Sequence, residues 1–123
     1  MTDWRGQASR IAAEARGRKG EDEAALFLES QGFEIVARRV KTPRGEVDLI
    51  AQREGLTVFA EVKWRAKPEA HVDAIDQKRL TRVAMAAELL APRFVPDGAD
   101  MRIDVILLAP GHDPYHIPNA WMP

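Results

Sequence analysis

Apolar and polar positions repeat along the chain with two different periods, and the switches between those periods divide it into elements. In EDEAALFLESQG (21–32) three acidic residues form a first helical turn. Ala24, Ala25 and Leu28 then recur on one face, and Gly32 supplies a stop. FEIVARRV (33–40) changes to the β-branched and aromatic composition of a strand, and KTPRG after it holds the Pro and Gly of a loop. GEVDLIAQ (45–52) and LTVFAEVKW (56–64) are two further strand-like runs around Arg53, Glu54 and Gly55, the pattern of a hairpin. IDQKRLTRVAMAAELL predicts a long amphipathic helix through Ile75, Val83, Ala84, Ala87 and Leu90, stopped by Pro92. MRIDVILL (101–108) reads as a buried strand.

The order helix, three strands, helix, strand predicts an α/β fold. Its central sheet is mixed, a three-strand meander plus a crossover strand, and is flanked by helices. Three segments are expected: a loosely ordered N-terminal extension (1–16), the folded domain (17–109) and a Pro-rich C-terminal tail (110–123). The tail should be extended and held by Tyr115 or Trp121 on the core.

The hairpin carries the candidate chemistry. If Glu54–Gly55 is a two-residue turn, Arg53 faces Leu56, and the same register pairs Ile50 with Phe59, Asp48 with Glu61 and Glu46 with Lys63. Period-2 alternation puts these six on one face and Val47, Leu49, Ala51, Val58, Ala60 and Val62 on the other. Opposed carboxylates stand about 4.5–5.5 Å apart at Cβ and destabilise a sheet, so Asp48 opposite Glu61 requires either a retained proton or an intervening cation. A hard divalent cation such as Mg²⁺ suits such oxygens, and Lys63 on the same face could orient a water or offset phosphate charge. Other readings stay open: Glu46 and Lys63 as a plain cross-strand ion pair, and a one-residue slip that sends the acids to opposite faces.

Composition narrows the chemistry further. With 123 residues, 46% apolar and 30% charged, the chain fits one soluble globular domain. The absence of cysteine excludes disulfides, thiolate metal sites and a Cys nucleophile. The first twenty residues lack the apolar stretch of a secretion signal and Val105 to Ala109 is too short to span a bilayer, so a cytoplasmic protein without membrane contact is expected. The net charge of −1 argues against a globally basic nucleic-acid binder. That total nevertheless conceals blocks: residues 38–82 carry eleven basic and seven acidic groups, with Lys78, Arg79 and Arg82 at helical spacing. His112 and His116 have zinc-chelating spacing, but Pro114 between them breaks the helix it would need. Trp64 points away from Lys63, where packing is expected.

Three motifs in order carry a resemblance to a known family. A helix opening GEDEAALFLESQGF, the run GEVDLIAQREGLTVFAEVKWR and a later QKRL resemble, over about residues 17–108, the YraN-type family of small bacterial proteins. That family is placed in the restriction-endonuclease-like PD-(D/E)XK superfamily, which also holds archaeal Holliday-junction resolvases. The resemblance implies a restriction-endonuclease-like sheet and hydrolysis of phosphodiester bonds in DNA, on branched or processed structures, with Mg²⁺ or Mn²⁺ as cofactor. By position it implies Asp48, Glu61 and Glu21 as metal ligands and Lys63 as the residue that positions the nucleophile. Gln77 or Lys78 would be the helix's contribution to the site, with Glu46 beside it. Arg44, Arg65, Lys67, Lys78 and Arg82 are the candidate phosphate contacts. Two departures stand out: an Arg-Asn pair usual after the first strand appears as Arg39–Val40, and the Pro before the motif Asp is replaced by Val47. Resolvase-like pairing would make the protein a homodimer. The alternative function is a non-catalytic nucleic-acid-binding or assembly module that keeps the fold.

Overall fold

The computed structural model describes residues 19–65 and 76–121. The expected N-terminal extension and Lys67 lie outside the described residues.

Helix α1 (19–30) places Glu21, Asp22 and Glu23 near its N-terminal end and buries Ala24, Ala25 and Leu28. It ends as the sequence predicts. Gly32 adopts φ +90°, its N–H donates to the Glu29 carbonyl and the Phe33 N–H to the Leu28 carbonyl, both at 3.0 Å. Phe33 then packs in the same cluster as Leu28, which completes a Schellman cap.

Five strands follow in the sheet order in which they occur along the chain: β1 (Glu34–Thr42), β2 (Gly45–Arg53), β3 (Leu56–Trp64), β4 (Asp100–Leu108) and β5 (Tyr115–Ile117). β1–β2, β2–β3 and β4–β5 are antiparallel; β3–β4 is parallel, joined through α2 (Gln77–Phe94). The mixed α/β architecture is therefore the expected one, and the Pro-rich segment adds a fifth strand to it. Each face of the sheet is covered. Ile50, Phe59, Ile103 and Val105 pack with Leu80, Val83 and Ala87 of α2, whereas Leu49, Val58, Ala60 and Ile106 pack with α1.

Pro92 does not stop α2, which continues to Phe94. Proline removes the hydrogen bond to the carbonyl four residues back. Here that carbonyl belongs to Glu88, and both Glu88 and Pro92 are exposed, so water can replace the bond. The helix ends two residues later, where Gln52 Nε2 donates to the Phe94 carbonyl at 2.6 Å. The start is capped by Asp76, whose side chain accepts from the Lys78 and Arg79 N–H groups.

The C-terminal segment is anchored by a buried carboxylate. Asp104, fully buried in β4, accepts two hydrogen bonds from Arg102 at 2.8 Å and one from the Asn119 N–H at 2.9 Å, and His116 Nε2 stands 2.7 Å away. Burial alone would push this carboxyl up; His116, Arg102 and Asn119 together outweigh it and hold it below the usual carboxylate range. Trp121 packs on the α2-side core, as the sequence suggests, while Tyr115 is 56% exposed and joins the sheet through its backbone opposite Leu107.

Because the native state holds Asp104 ionised, its contribution is present above the unfolded carboxyl pKa and is lost as pH falls through the lower native value. Asp104→Ala is expected to cost about 3 kcal/mol in urea denaturation at pH 7, by leaving Arg102 and the Asn119 N–H unpaired. It should also raise hydrogen exchange in residues 115–120, and unchanged exchange there would overturn the anchoring role.

Candidate metal and nucleic-acid site

The β2–β3 register is the predicted one for five pairs, from Arg53↔Leu56 to Leu49↔Ala60, and then the ladder ends. Both strands continue, β2 on β1 as far as Gly45 and β3 on β4 as far as Trp64. The sheet therefore splits between β2 and β3. At the split the Val62 N–H, which has lost its strand partner, donates to Asp48 Oδ2 at 2.8 Å. A side chain has replaced a backbone acceptor.

The other neighbour of β2 is irregular at the same level. β1 and β2 pair at Arg38↔Leu49 and at Val40↔Val47 but not between, and Arg39 has φ +50°, a conformation uncommon outside glycine. The alternation consequently reverses. Val47 packs with Ile50 and Phe59 on the α2 side, not with Leu49 as strict period 2 requires. The expected Glu46–Lys63 pairing fails for the same reason: it falls beyond the last rung, and Glu46 faces Lys41 of β1 instead.

These irregularities collect charge in the opening. Glu61 has a side chain only 3% exposed. Its charge is met by the guanidinium of Arg79, in the first turn of α2, which lies against Oε1. Burial raises the Glu61 carboxyl above its ordinary value, while Arg79 and Lys63 oppose the shift. Asp48 is pushed up to about 6, first by burial and then by the negative charges of Glu21 and Glu61, against the Val62 N–H and Arg79. Glu21 comes from α1 and accepts a 2.6 Å hydrogen bond from Arg39 Nε; Arg38 makes a matching contact to Asp22.

The sequence thus selects a set that the fold brings into one electrostatic cluster: Asp48, Glu61 and Glu21, with Lys63 acting on Glu61. As the side chains stand, no three acidic or histidine groups among the described residues converge closely enough to enclose a metal ion. The donor set still suits a hard cation, since it consists of carboxylates.

The remaining candidates scatter. Gln77 and Lys78 are exposed at the start of α2, and the helix's contribution to the cluster is Arg79. Arg44 is exposed in the β1–β2 turn and Arg82 on α2. The Arg82 carbonyl lies where a Cβ on Gly45 would approach to 3.1 Å, so a larger residue there would press β2 against the α2 backbone. Arg65 is half-buried and donates its N–H to the Leu108 carbonyl. Trp64 is 42% exposed, more than packing predicts, and lines an open cleft of about 570 Å³ with Lys19, Pro110 and His112. His116 is committed to Asp104, which removes the zinc pair.

Sequence reasoning missed Arg39 and Arg79. The spacing of Lys78, Arg79 and Arg82 marked a basic helix edge, but nothing in that pattern says which residue turns inward. No signal short of the structure announces a left-handed Arg39 within a strand.

Comparison with known proteins gives the grouping. Residues 20–108, which hold α1, the split and β4, match the family described as "Uncharacterised protein family UPF0102". The chain belongs to the UPF0102 family. This is the YraN-type family that the three motifs resemble. Similar relatives share nearly the whole length. A UPF0102 protein of Erythrobacter litoralis is 59% identical over 115 residues, covering 93% of this chain and 98% of the relative. One of Sphingopyxis alaskensis is 51% identical over 115 residues, covering 94% and 99%, and one of Rhizorhabdus wittichii is 50% identical over 112 residues, covering 91% and 95%.

Asp48 gives this UPF0102 protein a stability cost that pH exposes. A native pKa of about 6 lies above the unfolded value, so the folded state binds the extra proton between about pH 4 and pH 6 and stability falls as pH rises through that window. Asp48→Asn keeps an oxygen for the Val62 N–H and removes the charge. In urea denaturation with a chelator at pH 7.5 it is expected to be more stable than the parent by about 2 kcal/mol, with a flatter profile between pH 4 and pH 6. A variant no more stable than the parent would overturn the assignment of a strained charge.

Proposed function

We propose that this UPF0102 protein is a divalent-cation-dependent nuclease that hydrolyses phosphodiester bonds in DNA, including branched or processed DNA. The observation that carries the reading is the split between β2 and β3, which encloses the Glu61 carboxylate beside Asp48 and Lys63 with the Arg79 guanidinium against one of its oxygens. A stability-driven sequence would avoid that arrangement.

Asp48 and Glu61 would hold the cation, Mg²⁺ or Mn²⁺, and Glu21 would join them when Arg39 releases it. The cation supplies Lewis-acid polarisation of a phosphoryl oxygen and a more acidic water. Asp48 is oriented for this task by the Val62 N–H, which fixes Oδ2 at the split. The Lys63 ammonium can donate to the oxygen of the attacking water, or offset charge developing on the phosphate, because it follows Glu61 by two residues on the same strand face. Arg44, Arg65, Lys67, Lys78 and Arg82 are proposed to meet the DNA backbone, and such contacts make affinity fall with salt. The absence of cysteine suits action in the cytoplasm on the cell's own DNA, and pairing into a homodimer is the arrangement suited to a branched substrate.

A second reading has its own support. Arg39 holds Glu21 and Arg79 holds Glu61, which is how a non-catalytic module would neutralise the same acids. Cleavage assays on duplex, flapped, four-way-junction and single-stranded DNA, with Mg²⁺ or Mn²⁺, separate the two. The nuclease reading expects cation-dependent cleavage of at least one substrate, lost in Asp48→Asn and reduced about 100-fold or more in Lys63→Ala. Cleavage that survives both substitutions would sink the site assignment, and binding to DNA without cleavage of any substrate favours the module.

A further inference from the structure

Resting on the nuclease reading, we infer that Arg79 is an exchangeable counter-ion: it neutralises Glu61 until a divalent cation takes its place, and the released guanidinium then binds a backbone phosphate of the nucleic acid.

Glu61 is nearly fully enclosed, and an ionised carboxylate so placed requires a positive charge beside it. Arg79 provides it from an unusual position. Its side chain is 58% exposed, so only its tip is engaged, while its backbone N–H is fixed by Asp76 at the helix cap. The guanidinium can therefore leave Glu61 without unpacking a core and without moving α2. Lys63 stands on the same strand and acts on Glu61 through its charge, but it makes no hydrogen bond to that carboxylate. Arg79 also acts on Asp48, so its departure removes compensation from both acids together.

Two consequences follow from the charges. An arginine and a divalent cation compete for one carboxylate, so the arginine lowers cation affinity in the free protein. Once displaced, the same planar fork is an exposed phosphate ligand at the mouth of the site. Cation and phosphate then favour each other, because each draws on the state in which Arg79 has left Glu61.

Calorimetric titration of Mn²⁺ into the parent, Arg79→Gln and Arg79→Lys proteins tests the exchange. Arg79→Gln is expected to bind Mn²⁺ about tenfold more tightly than the parent, with Arg79→Lys between them. In gel-shift titrations with a short DNA duplex, Ca²⁺ should tighten binding by the parent and have a smaller effect on Arg79→Gln. Equal or weaker Mn²⁺ binding by Arg79→Gln overturns the exchange while leaving the nuclease reading intact. No Mn²⁺ binding by the parent or any variant, up to millimolar concentration, overturns both. If Arg79→Gln does not fold, the parent alone decides: the Arg79 Nε–H resonance should shift and sharpen on saturation with Ca²⁺, and an unmoved resonance overturns the exchange.

Discussion

The hydrogen bond from the Val62 N–H to Asp48 Oδ2 is the constraint on which the site depends. Parting two strands inside a sheet strands backbone donors in a region of low dielectric, where each unsatisfied group is costly. Asp48 takes one such donor, and so β2 and β3 can diverge beyond Leu49 and Ala60 without losing the bonds each makes to its outer neighbour. The carboxylate that opens the sheet is also the one that faces the opening.

Everything charged near the split answers to that divergence. Glu61 lies one residue beyond the last rung, where an unbroken antiparallel pair would have set Asp48 against it directly. Divergence relieves that contact but leaves Glu61 buried and Asp48 half-buried, and arginines arrive from two directions to compensate. Arg79 comes from α2 on one face of the sheet; Arg39 comes from the edge strand, through a backbone conformation that turns it toward α1. The helices are held in register with this arrangement by contacts far from it, among them the Schellman cap of α1 and the close approach of Gly45 to α2. A site of this kind raises the energy of the native state, and the two apolar layers supply the stability that sustains it.

Much of this is legible in the residues. The Glu54–Gly55 turn sets the hairpin register, and from it the proximity of Asp48 and Glu61 follows by counting. Gly32 marks the end of α1, and the order of the strands yields the mixed sheet. What counting cannot reach is where a regular pattern stops. Period-2 alternation predicts Val47 beside Leu49, and it fails because the strands are irregular at Asp48 and Arg39; a pattern rule carries no information about its own interruption. Pro92 is a similar case, since the residue reads as a stop only when the lost hydrogen bond is buried, and burial is a tertiary property.

Asp104 shows what the same chemistry looks like when structure alone is served. It too is a buried acid in a central strand, yet two arginine N–H groups, a histidine and a backbone N–H surround it, and its carboxyl is held below the usual range. Asp48 and Glu61 are raised instead, one with a single backbone donor and the other with the half-exposed Arg79 guanidinium against it. One sheet therefore contains both solutions to burying a negative charge. The satisfied acid joins the C-terminal segment to β4, where the chain needs a fixed contact. The raised pair lies where the strands part, balanced by the Arg79 guanidinium and one backbone N–H in place of the full set of donors that surrounds Asp104.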